Sequence, residues 1–190
     1  MLFEGAAVIG VLVAVMWVVE IVNKIDGQRL NGDGIHPRSL SGLPGIISAP
    51  FLHAGFNHLI GNTIPFVVLG LIIAAAGARR VIEVTAVVIA IAGLGTWLTA
   101  PGHSSTVGAS GVVFGYAGFL IARGFFTRKI GALAVAGVVA LAFGGALASD
   151  LIPHAGVSWQ DHLFGALGGI LAARVLSASP VKAIAGALGR

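Results

Sequence analysis

Long apolar runs separated by short polar breaks dominate the chain. The first run covers residues 2–22 and stops at Asn23, Lys24 and Ile25. A polar segment, 23–55, follows; it is rich in Gly, Pro, Asp, Asn and Ser and reads as one long loop. Five more runs follow at 56–77, 81–100, 107–123, 130–148 and 157–176, broken by Arg79-Arg80, Pro101-Gly102, Arg128-Lys129 and Asp150 with Pro153. Each run is close to the ~20 residues a helix needs to cross a hydrocarbon core. Backbone polar groups have no water to bond there, so such runs must close their hydrogen bonds internally as helices. The pattern predicts an all-α, polytopic membrane protein of six spanning helices, forming a single membrane domain over 1–190. No small-residue cleavage site follows the first run, which is therefore read as a retained span rather than a signal peptide.

Composition supports the same class. Apolar residues make up 57% of the chain and charged residues 9%, against about 25% charged in an ordinary soluble domain. A disordered chain would be polar and charged, and a disulfide-stapled domain would need the Cys that this chain lacks. The net charge of +4 raises nucleic acid as a partner. However, the basic residues are scattered or paired between apolar runs, with no basic face interleaved with aromatics, so no nucleic-acid partner is expected. They act instead as topology signals. Six spans put both termini on one side, with Arg79, Arg80, Arg123, Arg128, Lys129, Arg174, Lys182 and Arg190. The other side holds Lys24, Arg29 and Arg38. The positive-inside rule assigns the termini to the cytoplasm. The long loop and the starts of spans two, four and six then face outward. With no organelle-targeting extension visible, the expected location is a prokaryotic plasma membrane. Glycine is abundant, at 29 residues. The pairs Gly111/Gly115 and Gly165/Gly169 have the four-residue spacing that lets helix backbones approach closely in lipid.

Polar side chains at membrane depth are costly and need a reason. His53, His58 and Asn62 fall at the start of span two, Ser110 at the start of span four, and Asp161 and His162 at the start of span six. The topology places all of them at similar depth. A Ser and a His on different helices suggest a nucleophile with its general base. His58 and Asn62, four apart, share a helix face, and both can donate hydrogen bonds toward a developing oxyanion. Each feature has a plainer explanation too: Gly-Ala-Ser-Gly is common in membrane helices, and a His–Asn pair also serves interhelical hydrogen bonding. Other chemistries find less support. There is no His-Glu-x-x-His, and His53 and His58 are five apart, so no metal is expected. Asp150 and Asp161 both fall near the outer surface, where Asp161 is read as an interfacial residue, so an aspartyl pair is not expected either.

Three motifs together carry a resemblance: His53-x4-His58-x3-Asn62, Gly108-Ala109-Ser110-Gly111, and His162-x2-Gly165-x3-Gly169. On a six-span frame the chain resembles the rhomboid intramembrane serine proteases. The resemblance covers the membrane core from the outer loop to the sixth span. It implies a rhomboid-like bundle with a Ser–His dyad: Ser110 the nucleophile and His162 the general base and acid. His58, Asn62 and the Ser110 N–H would form the oxyanion hole. His53 would be structural, holding the outer loop, and Gly165 and Gly169 would bring span six against span four. No cofactor or metal is implied. Substrates would be single-span membrane proteins, cleaved near the outer membrane face.

The chain departs from that pattern at two places. Phe114 stands where many relatives have a Tyr stacked on the catalytic histidine. The outer loop has Arg38 but lacks the Trp of a Trp-Arg pair. A non-catalytic relative that binds or escorts membrane proteins is the alternative, but such relatives usually lose the serine or histidine, and this chain keeps both.

Overall fold

The structure is a computed structural model and describes residues 1–153 and 156–177. Lys182 and Arg190, counted in the charge balance, lie outside these residues. The described residues form seven α-helices: α1 (Leu2–Ile25), α2 (Gly45–Ser48), α3 (Phe56–Ala74), α4 (Ala78–Thr99), α5 (Ser110–Thr127), α6 (Ile130–Ser149) and α7 (Trp159–Ser177). Among them there is no strand, only an isolated antiparallel bridge between Ile35 and Thr106. The protein is thus an all-α polytopic bundle.

Helices α1, α3, α4, α5 and α6 are long and apolar enough to cross a membrane. The sixth expected span, α7, is 19 residues long and carries Asp161, His162 and Arg174. It is the least apolar of the long helices. It packs into the angle between α4 and α5, burying Gly165, Gly168, Gly169, Ala172 and Ala173 there. Helix α5 is the centre of the bundle, touching α3, α4, α6 and α7. Tyr116 on α5 and Thr85 on α4 are joined by a buried 2.6 Å hydroxyl contact. Thr85 gives its own proton to the Val81 carbonyl at 2.7 Å, so the Tyr116 hydroxyl is the donor. Helix α6 is peripheral, with only Ala136 and Val139 buried.

The sequence places the α3–α4 boundary a few residues late. Gly77, at φ +97°, makes the turn, and Arg79 and Arg80 sit in the first turn of α4, where both lie near the Glu83 carboxyl group.

The outer loop is held at two ends. Toward α1, Glu20 is fully buried. Its carboxyl group accepts from Gln28 Nε2 at 3.1 Å and from Asn23 Nδ2 at 3.3 Å, while the Asn23 side-chain oxygen accepts the Leu30 N–H at 3.1 Å. Toward α4, Arg38 donates to the Ala100 and Leu98 carbonyls at 2.7 and 3.1 Å. It thereby satisfies carbonyls that a helix end leaves open. Trp97 on α4 donates its indole N–H to the Ser39 carbonyl at 2.9 Å. The loop lacks its own Trp, and a tryptophan from the helix beside it braces the segment around Arg38.

Candidate active site

The expected site residues fall at one end of the bundle, at the starts of α3, α5 and α7. Helix α5 starts at Ser110 directly after Gly108-Ala109, and Ala109 offers no side-chain cap. The first-turn N–H groups of a helix lack partners inside it, so this start presents donors. Gly108 precedes it at φ +124°, a backbone conformation that side chains rarely adopt. It is also pressed from outside: a Cβ here would lie 2.7 Å from His58 Cε1, 2.8 Å from His58 Nε2 and 3.5 Å from Asn62 Nδ2. His58 and Asn62 are therefore stacked one above the other on α3, against the turn that leads into Ser110.

The hydrogen-bond partners set the tautomers. The Ala54 N–H donates to His58 Nδ1 at 3.3 Å. In the neutral ring Nδ1 is then the acceptor, and the proton sits on Nε2, the atom facing Gly108. Asn62 is 6% exposed, and its Nδ2 has no partner among the described residues. Buried amide donors are almost always satisfied, so an unmatched one beside the start of α5 marks a place where an acceptor fits.

His162 lies in the first turn of α7, buried, with its ring flat on Phe114: centroids 4.2 Å apart, planes at 7°. Phe114 is one turn beyond Ser110 on the same face of α5. His162 Nδ1 is 3.0 Å from the Asp150 carbonyl oxygen. A carbonyl only accepts, so Nδ1 holds the proton and Nε2 is the basic nitrogen. The close approach of α7 to α5 is set by glycine. A Cβ on Gly165 would strike the Gly111 carbonyl oxygen, and one on Gly169 the Gly115 carbonyl oxygen.

His53 is fully buried in the loop before α3. Its ring meets that of His58 edge-on with centroids 5.2 Å apart, and its carbonyl accepts from Asn23 Nδ2 at 3.4 Å. Burial, with the neighbouring His58 adding to it, pushes its pKa down to about 4, against a smaller opposing effect of the Phe51 carbonyl. The unfolded chain would hold a proton on this residue near the ordinary value of 6.5, so between these values the folded state binds fewer protons. Stability should therefore be fully present above about pH 6.5 and fall as the pH drops toward 4. The loss is on the order of 1 kcal/mol per pH unit within that window. Thermal unfolding in detergent across this range checks it: His53→Asn should flatten the slope, and an unchanged slope would contradict the assignment.

An open cleft of about 430 Å³ reaches this end, bordered by His58, Ser105, Thr106, Ser158 and Gln160 among others. Among the described residues no group of three or more His, Asp or Glu side chains gathers as a metal site.

One expectation needs correction. Asp161 is not at the aqueous interface: it is 6% exposed and turns into the seam between α4 and α5, with Thr96 Oγ1 3.5 Å from its carboxyl group. Being near a helix end does not put a residue at the surface when the helix face that carries it is packed against protein. Glu20 was missed altogether. Its signal was present, a carboxyl group inside the first apolar run, where an ionisable residue calls for a partner.

Comparisons with known proteins bear on the family. A family model described as the Rhomboid domain matches residues 41–179. An uncharacterized protein of Mycobacterium tuberculosis (strain ATCC 25618 / H37Rv) is 41% identical over 187 residues, covering 94% of this chain and 78% of that protein. An uncharacterized protein of Mycobacterium leprae (strain TN) is 39% identical over 187 residues, covering 94% and 74%. A protein of Bacillus subtilis (strain 168) that carries the provisional name of a rhomboid protease is 29% identical over 127 residues, covering 66% and 63%.

Proposed function

Because the chain belongs to the rhomboid family, we propose that it is an intramembrane serine endopeptidase working through Ser110 and His162. Residues 1–190 act as one membrane domain in this reading, with both termini cytoplasmic in a prokaryotic plasma membrane. The substrates are single-span membrane proteins, cleaved near the outer face where a helix unwinds most easily. A helical peptide bond is shielded by its own hydrogen bonds, so residues that destabilise the helix favour cleavage.

The observation that supports this best is His162 stacked on Phe114, one turn from Ser110, with its Nδ1 engaged by a carbonyl. In this reading Nε2 is the base that serves Ser110. In the reaction Ser110 Oγ attacks the scissile carbonyl carbon, and its proton passes to His162 Nε2. The oxyanion is held by the Ser110 N–H, His58 Nε2–H and Asn62 Nδ2–H. His162 then gives the proton to the leaving amine, and the peptide bond breaks. Water, deprotonated by the same nitrogen, hydrolyses the acyl-enzyme and restores the serine. Phe114 keeps the stacking surface a Tyr would provide, without the hydroxyl.

A fluorophosphonate that phosphonylates activated serines tests the reading on protein purified in mild detergent. Wild type should label and Ser110→Ala should not. Folded wild type that neither labels nor cleaves a single-span peptide would favour a binding or escort role instead. The oxyanion donors should show in the same assays. His58→Ala and Asn62→Ala should each lower kcat by about 10²–10³-fold, on the order of 3–4 kcal/mol of barrier. Full kcat in both variants would remove them from the hole.

A further inference from the structure

Asp161 is buried one residue from the proposed general base, and the reaction above does not use it. On a helix, neighbouring side chains point about 100° apart, so Asp161 faces away from the His162–Phe114 stack and into the α4–α5 seam. Its carboxyl group packs against the Gly111 backbone, within reach of the N–H there, and Thr96 Oγ1 lies at 3.5 Å. Its own N–H is 3.4 Å from Ser158 Oγ. The group occupies the space a side chain at 111 would need: a Cβ there would be 2.6 Å from both Cγ and Oδ1 of Asp161.

Gly111 is the second residue of α5, so its N–H is one of the donors a helix start leaves open. Such donors are usually met by the side chain of the N-cap residue. Ala109 has no such side chain. A capping oxygen at 109 would also compete for the space in front of the Ser110 N–H, where an oxyanion must sit. Here the acceptor comes instead from behind, from the helix that also carries His162.

We propose that Asp161 is a positioning residue: it caps α5 from α7 and so locks the Ser110 end of one helix to the His162 end of the other. This rests on the protease reading of the same site.

The test uses the full chain in mild detergent, assayed well below each variant's unfolding temperature. Its readouts are kcat and KM on a single-span substrate and the rate of phosphonate labelling. Asp161→Leu fills the space without an acceptor, Asp161→Ala is a smaller non-acceptor, and Asp161→Asn keeps an oxygen for the Gly111 N–H. The non-accepting variants should lose about 10²-fold in kcat and labelling rate with KM nearly unchanged, as expected for a misplaced nucleophile. Asp161→Asn should recover most of both rates. A folded Asp161→Leu or Asp161→Ala protein with wild-type rates overturns the proposal. So does an Asp161→Asn protein as impaired as the non-acceptors, the result that decides if those do not fold. Wild type that neither labels nor cleaves overturns the protease reading, and this proposal with it.

Discussion

Substituting either Ser110 or His162 by Ala should abolish cleavage of a single-span substrate while leaving an inserted, folded protein. The two act as a unit, so each loss should be nearly as large as the loss of both. By analogy with soluble serine proteases that is on the order of 10⁴–10⁶-fold in kcat, or about 5–8 kcal/mol of barrier. Stability should change far less. Ser110 is only partly buried, and removing the His162 ring forfeits its stack on Phe114, worth about 0.5–1.5 kcal/mol beyond area burial. Cleavage and thermal unfolding, measured on the same preparations, separate the two effects. A double variant far slower than either single one would mean the residues act independently, contrary to a dyad.

The second large effect concerns packing. Gly169→Ala should destabilise the bundle by about 3 kcal/mol or more, at or beyond the upper end for overpacked cores. The added methyl would collide with the Gly115 carbonyl oxygen and approach Phe119 N to 2.7 Å. Both are backbone atoms of α5, and neither can move aside as a side chain would. Relief requires α7 to shift away from α5, which carries His162 from Ser110 two turns along, so activity should fall with stability. Gly165→Ala should behave alike against Gly111. Gly137→Ala on α6 is the control: nothing lies within 4 Å of its added methyl, and the unfolding temperature should hold or rise slightly. Equal unfolding temperatures for Gly169→Ala and wild type would refute the packing argument.

Apolar runs of nearly helical-span length made the six long helices readable from sequence, because lipid admits few backbone solutions. The paired glycines of α7 were readable because small residues four apart have a definite use between helices. What escaped was the fate of individual polar residues. Asp161 was misjudged because depth along a span says nothing about whether a helix faces lipid, water or protein. Glu20 was overlooked because Asn23, one turn on in the same helix, lies just beyond the apolar run, and Gln28 reaches it only once the loop folds back. The bracing of the Arg38 segment was hidden for a related reason. Trp97 lies about 60 residues further along the chain, and no local pattern links it to the loop.

The composition of α7 bears on how the protein is made. A helix with Asp, His and Arg in 19 residues gains little from lipid alone, since each such residue at depth opposes insertion. Its natural solvent is the groove between α4 and α5. Helices α1 and α3 to α6 can therefore enter the bilayer one by one during synthesis, whereas α7 becomes stable only when its groove is waiting. The proposed general base thus arrives after the proposed nucleophile, and a nascent chain cut short before α7 would hold Ser110 in the membrane with no means of activating it. Biogenesis itself would then keep unfinished copies silent.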